Sequence, residues 1–192
     1  YRTGKRVVLN GVDYFHEELL GKKFRIKAGA FFQVNTKQAE VLYSIVRDNA
    51  SKGRVIYDIF CPTGSIGLCV VGNNQQLYGI EVSPEAVASA KVNAELSGVK
   101  NAQFVVKQVE RFDFAGSKFE RADTIIVDPP RKGMDIALVG KLLKMAPERI
   151  IYVSCDPATL ARDLKMLCDK YRVESVTPVD LFPNSEHIET VC

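Results

Sequence analysis

The chain has 192 residues, 46% of them hydrophobic and 26% charged, with a formal net charge of +3. That length buries one sizeable core with room for a small appendage, the composition is that of an ordinary globular protein, and no apolar run is long enough to cross a bilayer. The mild positive charge permits an anionic partner without demanding one, and the five scattered cysteines (Cys61, Cys69, Cys155, Cys168, Cys192) form no C-x-x-C pair, which argues against a metal site or disulfide framework and for a reducing, cytoplasmic setting.

The chain opens at Tyr1, in strand-like sequence and without a methionine, as expected of a fragment of something longer. Arg6-Val7-Val8-Leu9 leads into Asn10-Gly11, a hairpin signal, and Lys23 to Lys27 alternates polar and apolar residues. Residues 1–34 are therefore expected to be a short β segment, the tail of a preceding domain, and residues 35–192 the main domain. Gly29 to Asn35 is an aromatic-rich loop, and Asn35 with Gln38 has the spacing of a capping box, opening a helix whose inner face carries Ala39, Leu42, Ile45 and Val46. Strand and helix then alternate. Val55–Phe60, Leu77–Val82, Ala102–Lys107, Thr124–Val127, Ile150–Val153, Val173–Val179 and His187–Cys192 read as strands. Ser65–Val71, Pro84 to about Ser97, Asp135–Met145 and Pro157–Asp169 read as helices, with Ser83-Pro84 and Asp156-Pro157 as cap and first-turn proline and Gly98 as a stop. The alternation predicts an α/β fold with a mainly parallel sheet covered by helices on both faces.

In such a sheet, ligands bind at the carboxyl ends of the strands. The first of these strands runs into Asp58-Ile59-Phe60-Cys61-Pro62-Thr63-Gly64-Ser65-Ile66-Gly67, a glycine-bearing turn that lacks the dinucleotide fingerprint G-x-G-x-x-G. Glu81 closes the second strand, where an acid accepts hydrogen bonds from ribose hydroxyls; no phosphate-binding lysine motif accompanies it. A nucleoside-type cofactor without a phosphate tail, such as S-adenosyl-L-methionine, fits these two features better than NAD or ATP. Asp128-Pro129-Pro130-Arg131-Lys132-Gly133 follows the fourth strand, and the prolines hold the turn extended so that Asp128 is presented; Arg131 and Lys132 are either phosphate contacts or a solvated turn. Cys155 sits between the strand Ile150–Val153 and the helix that starts at Asp156-Pro157. The helix amino end favours a thiolate and the Asp156 charge opposes it, so this stretch alone reads equally well as a nucleophile or as a small buried hydrophobe. His187 and Glu189 stand two apart, on one face of a last strand.

In order along the chain, Gly-Ala-Phe-Phe-Gln-Val-Asn, Asp-Ile-Phe-Cys-x-Thr-Gly-Ser-Ile-Gly-Leu, Gly-Ile-Glu, Val-Asp-Pro-Pro-Arg-Lys-Gly, Tyr-Val-Ser-Cys-Asp-Pro-Ala-Thr-Leu-Ala-Arg-Asp and Phe-Pro-x-x-x-His-Ile-Glu-Thr-Val form a set. The set resembles the catalytic domain of the RNA uracil-5-methyltransferases, which make 5-methyluridine in tRNA and rRNA, over about residues 25–192. The resemblance implies a Rossmann-like, S-adenosylmethionine-dependent methyltransferase fold with a seven-stranded sheet over residues 35–192, an RNA partner, and a monomer with no metal in this chain. It implies Cys155 as nucleophile and Glu189 as base, with Gln33, Phe60, Ser65, Glu81, Gln108 and Asp128 around the cofactor. Pro62 departs from the family's glycine, removing a backbone donor and stiffening the loop, and Asn184 departs from a common histidine. Family members commonly carry an N-terminal RNA-binding β-barrel, and some a four-cysteine iron–sulfur site; neither is in these residues.

The chemistry explains the residue types. Carbon 5 of uracil is a poor nucleophile until a thiolate adds to carbon 6, and the adduct holds its carbon-5 proton until a base removes it. The target base must also leave its stack. Two other readings stay open on sequence alone: an amino-group methyltransferase using Asp128-Pro129-Pro130, with a cytosine-5 variant that lacks the second cysteine it would need, and a cofactor-binding fragment that does not turn over RNA.

Overall fold

Short, continuously apolar runs are buried on both faces only where helices cover both sides of a parallel sheet. A computed structural model, which describes residues 8–114 and 121–192, has this architecture. Strands β3 (Val55–Ile59), β4 (Gln76–Glu81), β5 (Ala102–Val106), β6 (Thr124–Val127) and β7 (Arg149–Ser154) pair in parallel, and β8 (Thr177–Val179) and β9 (Glu189–Val191) complete a seven-stranded sheet in the order β5-β4-β3-β6-β7-β9-β8. β9 runs antiparallel to both of its neighbours.

Alternate residues of each strand feed two cores. Ile56, Ile126, Ile151 and Val153 pack with α1 (Thr36–Asn49), α2 (Ser65–Val70) and α3 (Pro84–Leu96). Tyr57, Ile59, Ile125, Val127 and Tyr152 pack with α4 (Ile136–Met145) and α5 (Pro157–Leu167). The predicted caps hold: Asn35, Ser83 and Asp156 accept from the backbone N–H of Gln38, Ala86 and Thr159, and Asp135, expected as the first residue of its helix, instead caps it by accepting from Ala137 N–H. Gly98, just past α3, has φ +68°, the left-handed stop that its position predicts.

Three expectations change. The described hairpin joins β1 (Tyr14–Leu19) to β2 (Lys22–Lys27) and turns at Leu20-Gly21, both at positive φ as a two-residue turn requires, whereas Asn10-Gly11 forms a bend ahead of it. Arg6 and Val7 of the expected first strand lie outside the described residues. The strand expected from Val173 shortens to Thr177–Val179, because β9 offers partners only there, and Glu174 instead pairs with Arg149 at 2.9 Å. The last strand starts at Glu189 rather than His187: the preceding residues turn, with Asn184 at φ +68° and Ser185 N–H donating to Phe182 O.

The hairpin shares the main core through Leu19, Phe24 and Ile26. Asn93 on α3, fully buried, locks it there: its Oδ1 accepts from Arg25 N–H at 2.8 Å while its Nδ2 donates to Thr63 O at 3.1 Å. One side chain thus ties the hairpin to the glycine-bearing turn after β3.

Candidate active site

The parallel strands all end at one edge, and the order reverses there between β3 and β6, the place where open α/β sheets leave a crevice. A cleft of about 770 Å³ opens at that edge, within the range of small-molecule sites. Gln33, Phe60, Glu81, Gln108, Asp128, Cys155 and Glu189 all line it. Ser65 does not; it opens α2, with its Oγ 3.0 Å from the hydroxyl of Tyr43. A second cavity of about 340 Å³, around Arg149–Tyr152 and the end of α5, contains none of these residues.

The β3–β5 side is shaped by backbone. Phe60 has φ +66°, a strained conformation for a non-glycine residue, and its N–H donates to Ile80 O at 3.0 Å. Gly64 has φ +70°, and a Cβ there would press on the ring of Phe104 at 3.0 Å. Pro62 lines the cleft beside them. Asp58, 1% exposed, accepts from Gly67 N–H at 2.9 Å, and burial pushes its carboxyl up to about 7. A Cβ on Gly67 would lie 2.7 Å from that carboxylate, so glycine is what lets α2 approach β3. Glu81 at the end of β4 is aimed by Ser83 N–H, which donates to Oε1 at 2.9 Å. Gln33 is buried in the loop before α1, and Gln108 is exposed just past β5.

The β6–β9 side is set by register. Val153 pairs with Val191 and Ser154 with Thr190, so the next positions across the antiparallel pair are Cys155 and Glu189. A strand running backwards thus delivers its first residue to the edge where β7 delivers its last. Glu189 is 4% exposed, and burial pushes its carboxyl up to about 7, with the Arg131 guanidinium pulling the other way. Burial also holds the half-buried Cys155 thiol above its usual value, reinforced by Glu189 and Asp128 and opposed by Arg131. The helix amino end is thus set against desolvation and two nearby acids. Asp128 is raised as well, by burial first and then by Glu189 and Asp58.

Arg131 is the cation among these groups. Its Nη2 lies 2.9 and 3.1 Å from the two ring nitrogens of His187, of which the one without a proton accepts, and that ring packs edge-on to Phe182. Arg131, Lys132, His187 and Phe182 line the cleft, as do Lys107 and Phe31, giving it a basic and aromatic rim. Phe31 and Phe182 stand inside the sequence motifs and Lys107 at the end of an expected strand, but nothing local to them gives them a role at the cleft. Asp163 likewise closes a motif without a role of its own, although a carboxylate between Leu160 and Leu167 on the apolar face of α5 is a legible oddity. Among the described residues, no three His, Cys, Asp or Glu side chains gather as a metal site.

Comparison with known proteins agrees with this geometry. The family model described as tRNA (uracil-5-)-methyltransferase matches residues 2–192. An uncharacterized RNA methyltransferase of Halalkalibacterium halodurans is 44% identical over 191 residues, covering 97% of this chain and 42% of the relative. One of Bacteroides thetaiotaomicron is 43% identical over 190 residues, covering 96% and 41%. The chain thus spans well under half the length of the curated relatives it matches. The crystal structure of Pyrococcus abyssi tRNA (uracil-54, C5)-methyltransferase in complex with S-adenosyl-L-homocysteine superposes with a TM-score of 0.85 at 34% identity, covering 94% of this chain and 44% of that one. The tRNA m1G37 methyltransferase of M. jannaschii, at 16% identity and a TM-score of 0.68 over 97% of this chain and 58% of that one, shares the fold alone. The chain belongs to the tRNA (uracil-5-)-methyltransferase family.

Proposed function

We propose that this chain is the catalytic region of an S-adenosylmethionine-dependent RNA methyltransferase that modifies carbon 5 of a uridine in tRNA or rRNA. The observation that carries the reading is the β7–β9 register, which sets Glu189 across from Cys155 at the edge where Asp128 follows β6. An amino-group methyltransferase has no use for that pairing.

The cleft fits the cofactor: it has the volume for a nucleoside, an acid at the end of β4 suited to ribose hydroxyls, and Phe60, Ile80 and Val109 as apolar walls. Glu81, Gln33, Phe60, Gln108 and Asp128 would hold it, with Ser65 bracing the turn through Tyr43. When bound, S-adenosylmethionine supplies the methyl group as an electrophile.

The side chains of the protein do the rest. Cys155, once its proton has passed to solvent, adds its sulfur to carbon 6 of the uracil; the electron pair of the carbon 5–carbon 6 double bond moves toward the ring carbonyl as an enolate, which makes carbon 5 nucleophilic. Arg131 is the charge placed to favour that thiolate. After carbon 5 has been methylated, Glu189 takes its proton, the carbon 5–carbon 6 double bond reforms, and the bond to Cys155 breaks to release sulfur as thiolate. A carboxyl held near 7 by burial is well matched to that proton transfer at neutral pH. Lys107, Arg131 and Lys132 suit the phosphates beside an extruded base, and Phe31 its faces.

The test uses the full-length protein with tRNA and rRNA made with 5-fluorouridine in place of uridine. Fluorine cannot leave as a proton does, so a stable adduct is expected, mapped by mass spectrometry to Cys155 and absent from Cys155→Ala. An adduct on Cys61, Cys69, Cys168 or Cys192, or none on either RNA, contradicts the reading.

A further inference from the structure

Asp163, on the face of α5 turned to the sheet, is completely buried. Its Oδ2 accepts from Tyr152 Oη at 2.8 Å and from Met134 N–H at 2.7 Å. Its Oδ1 accepts from Arg162 Nε at 2.8 Å and Nη2 at 2.7 Å. The same Arg162 Nη2 donates to the carbonyls of Lys132 at 2.8 Å and Met134 at 3.2 Å. Gly133 between them has φ +74°, and a Cβ there would lie 2.5 Å from Asp163 Oδ2 and 2.6 Å from Arg162 Nη2. The loop is therefore clamped at residues 132–134 and cannot be re-seated by a bulkier residue.

The three segments that meet on Asp163 are the three that carry the proposed chemistry. The clamped loop follows Asp128 and Arg131. Tyr152 lies on β7 three residues before Cys155, and its backbone exchanges both hydrogen bonds with Cys192, beside β9 and Glu189. α5 starts just after Cys155. Of the clamp, Lys132 lines the cleft, while Tyr152, Gly133, Met134, Arg162 and Asp163 do not. We infer that Asp163, with Arg162, is a positioning residue that fixes the Asp128–Arg131 turn relative to Cys155 across the cleft that both line. A buried carboxylate satisfied by four donors is a stiff joint, and losing it leaves the buried Tyr152 hydroxyl and Met134 N–H unpaired.

The inference rests on Cys155 acting as proposed, and its test separates the two. Asp163→Asn and Tyr152→Phe are compared with the wild type in the full-length protein. The readouts are the rate of adduct formation on 5-fluorouridine-substituted tRNA and rRNA at saturating RNA, the RNA concentration giving half that rate, and cofactor affinity by calorimetry. The expected result is a maximal trapping rate lower by about 10²-fold in Asp163→Asn, the scale of a small misplacement of reacting groups, and lower by a smaller factor in Tyr152→Phe. RNA half-saturation and cofactor affinity should change by far less than the trapping rate, because each is shared with residues outside the clamped turn, and the trapping-rate profile should shift to higher pH as Arg131 loses its hold on the thiolate. Unchanged trapping rates, or cofactor affinity falling in step with trapping, overturn the inference. If Asp163→Asn does not fold, Tyr152→Phe decides: a wild-type rate and pH profile in that variant count against it. Absence of any Cys155 adduct in the wild type would instead remove the functional reading itself.

Discussion

On the β3–β5 side of the cleft the strand ends present Glu81, half-buried and aimed by one backbone N–H, beside turns whose shape comes from Phe60 and Gly64 at positive φ. On the β6–β9 side the acids Asp128 and Glu189 are held above their ordinary range by burial and lie close to a thiol that is raised as well. The first side has the features of binding: a pre-shaped backbone and a directed carboxylate. The second has the features of proton handling, because a carboxyl poised near neutrality, as Glu189 is, exchanges protons readily and costs stability to keep. One sheet edge thus supports two kinds of work. Strand direction contributes to the difference: parallel β6 leads into Asp128 at that edge, and antiparallel β9 adds Glu189 from the opposite direction.

Substitutions on the two sides should therefore fail differently. The largest effect is expected from Cys155→Ala, which should lower methyl transfer by at least about 10⁴-fold while cofactor affinity, measured by calorimetry, stays near wild type. A parallel loss of cofactor binding would erase the division between the sides.

The pH dependence comes next. Glu189 rises from 4.5 to about 7 on folding, so between those values the folded state holds a proton that the unfolded state has lost. Stability contributed by this group is therefore greatest below about 4.5 and is lost as pH climbs through about 7, with a slope of at most roughly 1.4 kcal/mol per pH unit. Activity should run the other way, rising as Glu189 ionises and becomes a base. Denaturant unfolding across that window should show a shallower slope in Glu189→Gln than in wild type; identical slopes would mean the carboxyl is not desolvated.

The smallest effect is expected on the binding side. Glu81→Ala should weaken cofactor binding by about 1–3 kcal/mol, roughly 5- to 150-fold, the scale of a lost charge-assisted hydrogen bond. Trapping of 5-fluorouridine RNA at Cys155, scored at saturating cofactor, should change little. A collapse of trapping at saturating cofactor would place Glu81 on the chemical side.

Much of this was legible before the structure because the signals were local. Ser83-Pro84 and Asp156-Pro157 announce helix starts within a few residues, apolar runs such as Thr124–Val127 announce buried strands, and strand ends in such a fold face one cleft. What was not legible depends on partners distant in sequence. A three-residue strand such as β9 carries too little pattern to reveal that it inserts between β7 and β8. The turn at Leu20-Gly21 puts a leucine at φ +50°, where no turn signal stands, while Asn10-Gly11 shows that signal more strongly. His187 was expected on the strand with Glu189; it lies outside β9 and meets Arg131, 56 residues away in sequence. The upward shift of the Cys155 thiol follows from burial near Glu189 and Asp128, which only the assembled sheet brings close.

The most direct measurement follows Glu189→Gln in the full-length protein with ordinary tRNA and rRNA and S-adenosylmethionine. If Glu189 removes the carbon-5 proton, a methylated RNA bonded to Cys155 should accumulate on a denaturing gel. Free 5-methyluridine product should fall by about 10²–10⁴-fold, the range for loss of a general base. Turnover at the wild-type rate with no trapped species would leave the Cys155–Glu189 pairing without a function.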